Sequence, residues 1–324
     1  LLLLESLTIG SLYLAAVGSL PDQLRTMNDE AAALAQAAND PWHIAMVAAL
    51  RGMEEYVAGH LELSAATLRD AIDAFTQLGD EATAGLFEIS FCEVVELRGG
   101  IAEATIAMTR ALAVDTDCGF RSSTVLCAAL CWLAGRNGET ERALNLGREV
   151  VAEAHQPFNP VIRAQALFAL GVAETRAGLA EPAAEHLGEA LRIHEHVGMV
   201  REAAMDHRHI GELRHMQGNS DEALSHHRRA VALAVQVGLP WTVILAARSM
   251  APTLVEIDPE LACHVLGNTE ALSEMFGYDP TPEEQGVVDD VRAIATKQIG
   301  AAAVAKATAA GAQLDFKRLP ELVS

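Results

Sequence analysis

Lysine is almost absent from this chain of 324 residues: only Lys297, Lys306 and Lys317 occur, all near one end. Lys and Arg together number 23 against 44 Asp and Glu, a formal net charge of −21. That balance excludes a nucleic-acid binder working through bulk charge, because phosphate contact needs clustered cations. Cysteine is scarce as well, five residues at irregular spacing. No disulfide framework can be built from them, and free thiols in a reducing cytoplasm are the expectation. No run of 18 apolar residues exists, so no membrane-spanning helix is expected. Leu1-Leu2-Leu3-Leu4-Glu5 has no basic flank, carries an acid and lacks an initiator Met. It reads as a helix cut from a longer polypeptide rather than a secretory signal. Strand-type alternation is missing, and aromatics make up only 4 %.

What is present is apolar content, 51 % hydrophobic and rich in Ala, arranged with a period. Gly18, Gly59, Gly99, Gly138, Gly178, Gly218 and Asp258 recur about every 40 residues. Asn39, Gly79, Gly119, Gly198, Gly238 and Gly277 fall between them, with Gln156-Pro157 in the one remaining slot. The intervals carry apolar residues at helical spacing, as in Leu187, Ala190, Leu191 and His194. Two helices per period, repeated six or seven times, predict an all-α, right-handed α-solenoid. Pro21, Pro182 and Pro259 are expected in first turns of second helices. Pro41, Pro157, Pro160, Pro240, Pro280 and Pro282 are expected in connectors, and Pro252 is expected to kink or end a helix.

Leu167, Leu170-Gly171, Gly178, Ala183, Leu187 and Ala190 follow the small/large pattern of a tetratricopeptide repeat. Gly171 and Ala183 are small where two helices cross, and Leu167 and Leu187 fill the space beside them. Ile210-Gly211, Gly218, Ala223 and Ala230 repeat the pattern. The period of about 40 exceeds the usual ~34 of that repeat. After Gly277 the pattern changes. Thr281 is placed as an N-cap with Glu284 at N3. A helix to about Gln298 follows, then an Ala-rich helix from Ala301 to Ala310 ended by Gly311, and a short helix near Leu319–Val323. Residues 1–278 are thus read as six to seven helical pairs, and 279–324 as the helical cap that covers the last apolar face.

The motifs of chemistry are missing. There is no G-x-x-x-x-G-K-[ST], G-x-G-x-x-G, H-E-x-x-H, G-x-S-x-G or C-x-x-C. His194-Glu195-His196 and Asp115-x-Asp117 are incomplete as metal motifs. Neither an enzyme nor a bound cofactor is expected. Seven of the twelve histidines nevertheless lie between residues 194 and 227. The repeat alignment sets His207 against His227, a candidate pair for a divalent metal or a pH-sensitive contact. Polar filling of a helix crossing is the plainer reading. Cys127 and Cys131, four apart on one helix face, are read as core.

In a helical-pair solenoid the first helices line the concave face. Their inward positions include Met46, Tyr56, Leu86, Ile89 and Glu93 in the first part of the chain. Further on they are Trp132, Arg136, Phe168, Arg176, Met205, Arg208, Glu212, His215 and Arg248. Residues 1–100 hold fifteen acids and four arginines, whereas the later groove gathers Arg136, Arg176, Arg208 and Arg248. Four guanidinium groups beside apolar Trp132, Phe168 and Met205 suit a carboxylate or phosphate.

Leu261-Ala262-Cys263-His264-Val265-Leu266-Gly267-Asn268-Thr269-Glu270-Ala271-Leu272, then Gly277 and Pro282-Glu283-Glu284, give the sharpest resemblance. This stretch is similar to the end of the helical-repeat region in actinobacterial LuxR-family ATP-dependent (STAND-type) transcriptional regulators and related multidomain adenylate cyclases. In the following stretch, Ala301–Leu314, only Gly311 and Leu314 keep the family pattern. The resemblance implies a cytoplasmic sensing arm whose partners are the ATPase domain of its parent chain and a protein, peptide or small effector. Neither direct nucleic-acid contact nor a membrane is implied for this arm. A structural protein–protein scaffold, and a metal-dependent sensor or enzyme on the histidine cluster, are the alternatives.

Overall fold

The computed structural model describes residues 2–17, 21–118, 123–154 and 160–324. The turn signals Gly18, Gly119 and Gln156-Pro157, and the side chains of Asp115 and Asp117, lie outside the described residues. Among the described residues there are 17 α-helices, one 3₁₀ turn and no strand. The chain divides into two compact units, Leu1–Leu126 and Cys127–Ser324.

The first unit contains α1 (Leu2–Val17), α2 (Pro21–Ala38), α3 (Pro41–Ala58), α4 (Leu61–Gln77), α5 (Glu81–Leu97), α6 (Ile101–Cys118) and the start of α7 (Ser123–Arg136). The second continues α7 and adds α8 (Thr140–Glu153), α9 (Pro160–Arg176), α10 (Ala180–Val197), α11 (Val200–Met216) and α12 (Ser220–Val237). It ends with α13 (Pro240–Ile257), α14 (Pro259–Phe276), α15 (Pro282–Ile299), α16 (Ala301–Ala312) and α17 (Leu319–Leu322). Within each unit most consecutive helices pack on one another, and α16 packs chiefly on α14, the arrangement of an all-α solenoid.

The periodic small residues stop the helices. Gly178 sits at φ 75°, so that its N–H reaches Thr175 O at 3.0 Å and that of Leu179 reaches Glu174 O at 2.9 Å. This left-handed closure satisfies carbonyls that the helix leaves open. Asn39, at φ 48°, does the same work without being glycine. Asp258 acts differently: its N–H closes α13 on Leu254 O at 2.7 Å, while its Oδ1 accepts from Leu261 N at 2.9 Å and caps α14.

Inside the pairs, small residues admit large ones. A Cβ placed on Gly171 would lie 2.7 Å from Leu187 Cγ, and one on Gly52 equally close to Leu68 Cγ. Ala183, Leu187 and Ala190 are fully buried around the first crossing. Cys92 and Cys131 occupy the same register and donate Sγ–H to Ala104 O and Ala143 O, each at 3.1 Å.

Two local expectations need correction, and a third, that Pro252 kinks or ends its helix, loses its second alternative. Pro41, Pro160, Pro240 and Pro282 are not in connectors but open α3, α9, α13 and α15, where a missing N–H costs nothing. Pro252 does not end its helix, because α13 runs on to Ile257. The following turn is buried through Thr253, Leu254 and Val255, and that packing holds the helix past the lost hydrogen bond. Gly311 is not a terminator either. It lies inside α16 against the His264 carbonyl, while Gly267 of α14 faces the Thr308 carbonyl. Backbone meets backbone at this crossing, and a Cβ at either glycine would collide. Asn268 Nδ2 completes the junction by donating to Gly311 O at 3.2 Å and Leu314 O at 2.7 Å.

Candidate functional site

In the second unit α9 and α11, α11 and α13, and α13 and α15 lie side by side. Their shared face begins with an aromatic group. Trp132 of α7 and Phe168 of α9 stack at 5.8 Å between centroids, and His209 of α11 meets both edge-on at 5.5 and 5.3 Å. Arg136 follows Trp132 by one turn, its guanidinium 5.9 Å from the indole centroid.

One turn along α11, Glu212 meets a guanidinium and an imidazole. Arg208 Nε donates to Oε1 at 3.0 Å, and His209 Nδ1 lies 2.7 Å from Oε2. Burial favours the neutral acid, but the Arg208 charge and the His209 contact outweigh it and hold Glu212 well below the usual carboxylate range. Burial also lowers the His209 imidazole, against the pull of Glu212.

The face is closed by the entry to α15. Thr281 and Glu284 form the expected capping box, with Thr281 N donating to Glu284 Oε2 at 2.8 Å and Glu284 N to Thr281 Oγ1 at 3.3 Å. The same Glu284 carboxylate accepts from Arg136 Nη1 at 2.7 Å and from Tyr278 OH at 3.0 Å. Its neighbour Glu283 accepts both bonds of Arg176 Nη1, at 3.0 and 3.2 Å. Burial works to raise the Glu284 carboxyl. The Arg136 charge and hydrogen bonds, with Thr281 N–H and Arg208, win and bring it to about 2.

Arg248 of α13 is 6 % exposed and differs from the other three arginines. Its Nη2 donates to Ser273 Oγ at 3.0 Å and its guanidinium lies 5.5 Å from the Tyr278 ring centre. Among the described residues no carboxylate pairs with it, and its Nε and Nη1 have no acceptor. Arg208 Nη1 is likewise without one.

Of the groove residues expected from sequence, the structure thus gathers Trp132, Arg136, Phe168, Arg176, Arg208, Glu212 and Arg248. Met205 and His215 are half-buried on α11 and take no part in these bonds. Sequence reasoning missed His209, Tyr278, Glu283 and Glu284. The available signal was an adjacent acid pair in the cap, matching a row of arginines in the repeats.

The histidine cluster is rearranged relative to expectation. His207 Nδ1 meets His226 Nδ1 at 2.9 Å, rather than His227. His227 turns instead onto Gly211, in the register where Leu187 covers Gly171. Successive residues on a helix point about 100° apart, so only one of the two can take each position. Burial lowers His207 and His227 to about 4. His194 Nδ1 and Asp206 Oδ2 form a buried contact of 2.6 Å, and burial raises Asp206 to about 6 against the pull of His194. Among the described residues no group of three or more His, Cys, Asp or Glu could hold a metal.

A Rap protein crystallised with Competence and Sporulation Factor superposes with a TM-score of 0.65 at 13 % identity, covering 94 % of this chain and 95 % of the other. The fold is that of the TPR-like helical-repeat proteins. Aspartyl phosphate phosphatase F from Bacillus subtilis also aligns, over 91 % of this chain and 76 % of its own, with 13 % identity and a TM-score of 0.49. No protein-family model matches the chain, and no curated protein matches it in sequence. Among the described residues no helix of this TPR-like array is long and apolar enough to cross a membrane.

Proposed function

We propose that this chain is a non-enzymatic interaction and sensing module that receives a peptide, a partner protein or a small effector on the arginine–aromatic face of its second unit. The observation that carries the reading is the convergence of Arg136, Arg176, Arg208 and Arg248 beside stacked Trp132 and Phe168. Bidentate guanidinium groups next to an aromatic platform are suited to an anionic, partly apolar ligand. A solved relative in fold carries a bound factor, the Rap protein complexed with Competence and Sporulation Factor, which is a precedent for the architecture.

The resemblance of residues 261–284 to LuxR-family ATP-dependent regulators supports a larger parent protein. In this reading 1–278 is the repeat array and 279–324 its cap. The module works in the cytoplasm, contacts the ATPase domain of its parent, and leaves DNA contact to another part. Ligand binding would shift the module between two packings only by differential affinity for them.

Calorimetry and thermal-shift screening against peptides and metabolites test the proposal. A ligand found this way should lose about 2 kcal/mol of affinity on Trp132→Ala or Arg208→Ala. Unchanged affinity in both variants would remove the face from the function. One observation favours a rival: Glu283 and Glu284 already occupy two of the arginines, as in a scaffold with no free ligand site. A partner recovered by pull-down, with no peptide or metabolite raising the melting temperature, decides for the scaffold.

A further inference from the structure

Among the described residues, carboxylates face three of the four arginines. Arg136 has Glu284, Arg176 has Glu283 and Arg208 has Glu212. Arg248 has only a serine hydroxyl and the face of Tyr278, with two guanidinium nitrogens lacking an acceptor among the described residues although the residue is 6 % exposed. A buried cation without a counter-charge is costly, and an anion arriving beside it recovers that cost. The ring of Tyr278 lies 5.5 Å from the Arg248 guanidinium, and Tyr278 belongs to the same short segment, Tyr278–Glu284, that brings Glu283 and Glu284 to Arg176 and Arg136. One segment thus supplies two carboxylates to the face and sets an aromatic ring beside the arginine that has none among the described residues. It does so where the proline-bearing connector Tyr278-Asp279-Pro280-Thr281 runs into Pro282-Glu283-Glu284, the first turn of α15.

We propose that the partner of this face is an acidic peptide segment, for which the chain's own Tyr278–Glu284 is the resident competitor. The incoming peptide replaces Glu284 and Glu283 on Arg136 and Arg176, lifts Tyr278 and gives Arg248 and Arg208 Nη1 their missing carboxylate acceptors. The inference rests on the interaction role proposed for this face and specifies its ligand. Self-occupancy keeps the apparent affinity low, because only the fraction of molecules with the segment displaced can bind. A partner with a third carboxylate in reach of Arg248 outcompetes a segment that offers two.

The test uses the full chain and a fluorescein-labelled peptide of one Tyr and six Glu, with Gln and Lys peptides of equal length as controls. Anisotropy should show binding of the Glu peptide that weakens with salt, as ion pairing does. Replacing Glu283→Gln and Glu284→Gln together should tighten it about tenfold, since the competitor is disarmed. Arg248→Met should weaken it about tenfold while leaving the melting temperature unchanged or higher, because it removes an uncompensated buried charge and keeps the volume. The inference is overturned if the Glu peptide binds no better than the Gln peptide, or if the double Gln variant binds it no more tightly. Displacement of the peptide by inorganic phosphate or succinate at equal concentration would also overturn it, in favour of a small anion. Trp132-dependent binding of the Gln or Lys peptide alone would leave the interaction role standing while this choice of ligand falls.

Discussion

Glu284 Oε1 accepts from Arg136 Nη1 at 2.7 Å, tying the first turn of α15 to the last turn of α7 across 148 residues of sequence. The same side chain closes the local capping box with Thr281. A residue chosen to start a helix therefore also decides where that helix docks.

Glu284→Gln keeps the size and most hydrogen-bonding capacity but removes the charge. Its folded carboxyl, at about 2, lies below the ordinary 4.5, so its stabilisation is present above pH 4.5 and is lost as pH falls through about 2. The variant should be about 2–3 kcal/mol less stable at pH 7 and close to wild type near pH 2. Urea unfolding across that range checks both the size and the pH at which the two curves meet.

His227 fills on Gly211 the place that Leu187 fills on Gly171, yet it is fully buried and both ring nitrogens lack a partner among the described residues. His227→Leu should stabilise the protein by about 1–2 kcal/mol at pH 7. Burial, outweighing Glu212, lowers the imidazole to about 4 from 6.5, with His215, Arg208 and His226 adding to the shift. Its contribution is therefore intact above pH 6.5 and lost as pH falls through 4. Melting curves from pH 7 to pH 4 should fall less steeply in the variant, with a residual slope from His207, which is also lowered to about 4.

The crossing of α14 and α16 has no room for a methyl group. Gly311→Ala should cost about 1–3 kcal/mol by overpacking. Amide hydrogen exchange should quicken through α16 before it does in α11, and uniform exchange in wild type and variant would show that the crossing tolerates the methyl.

Cys92 and Cys131 are buried, and desolvation pushes both thiols up to about 12. Neither should react with an aromatic disulfide reagent at pH 8 in the native protein, and both should react once urea unfolds it. Mass spectrometry of the labelled peptides distinguishes them from half-buried Cys127.

By itself the sequence determined the helices and their punctuation. Gly178, Asn39, Asp258 and the Thr281–Glu284 box act on backbone groups a few residues away, so their chemistry is local and legible. The crossing of Gly171 and Leu187 was legible for the same reason, since it recurs at a constant offset within one helical pair. Tertiary structure alone decided that Glu283 and Glu284 would answer Arg176 and Arg136, that Arg248 would have no carboxylate among the described residues, and that His207 would choose His226 over His227. Those outcomes depend on how successive pairs rotate and where α15 returns. Charge and burial act there through space, at separations that no repeat period encodes.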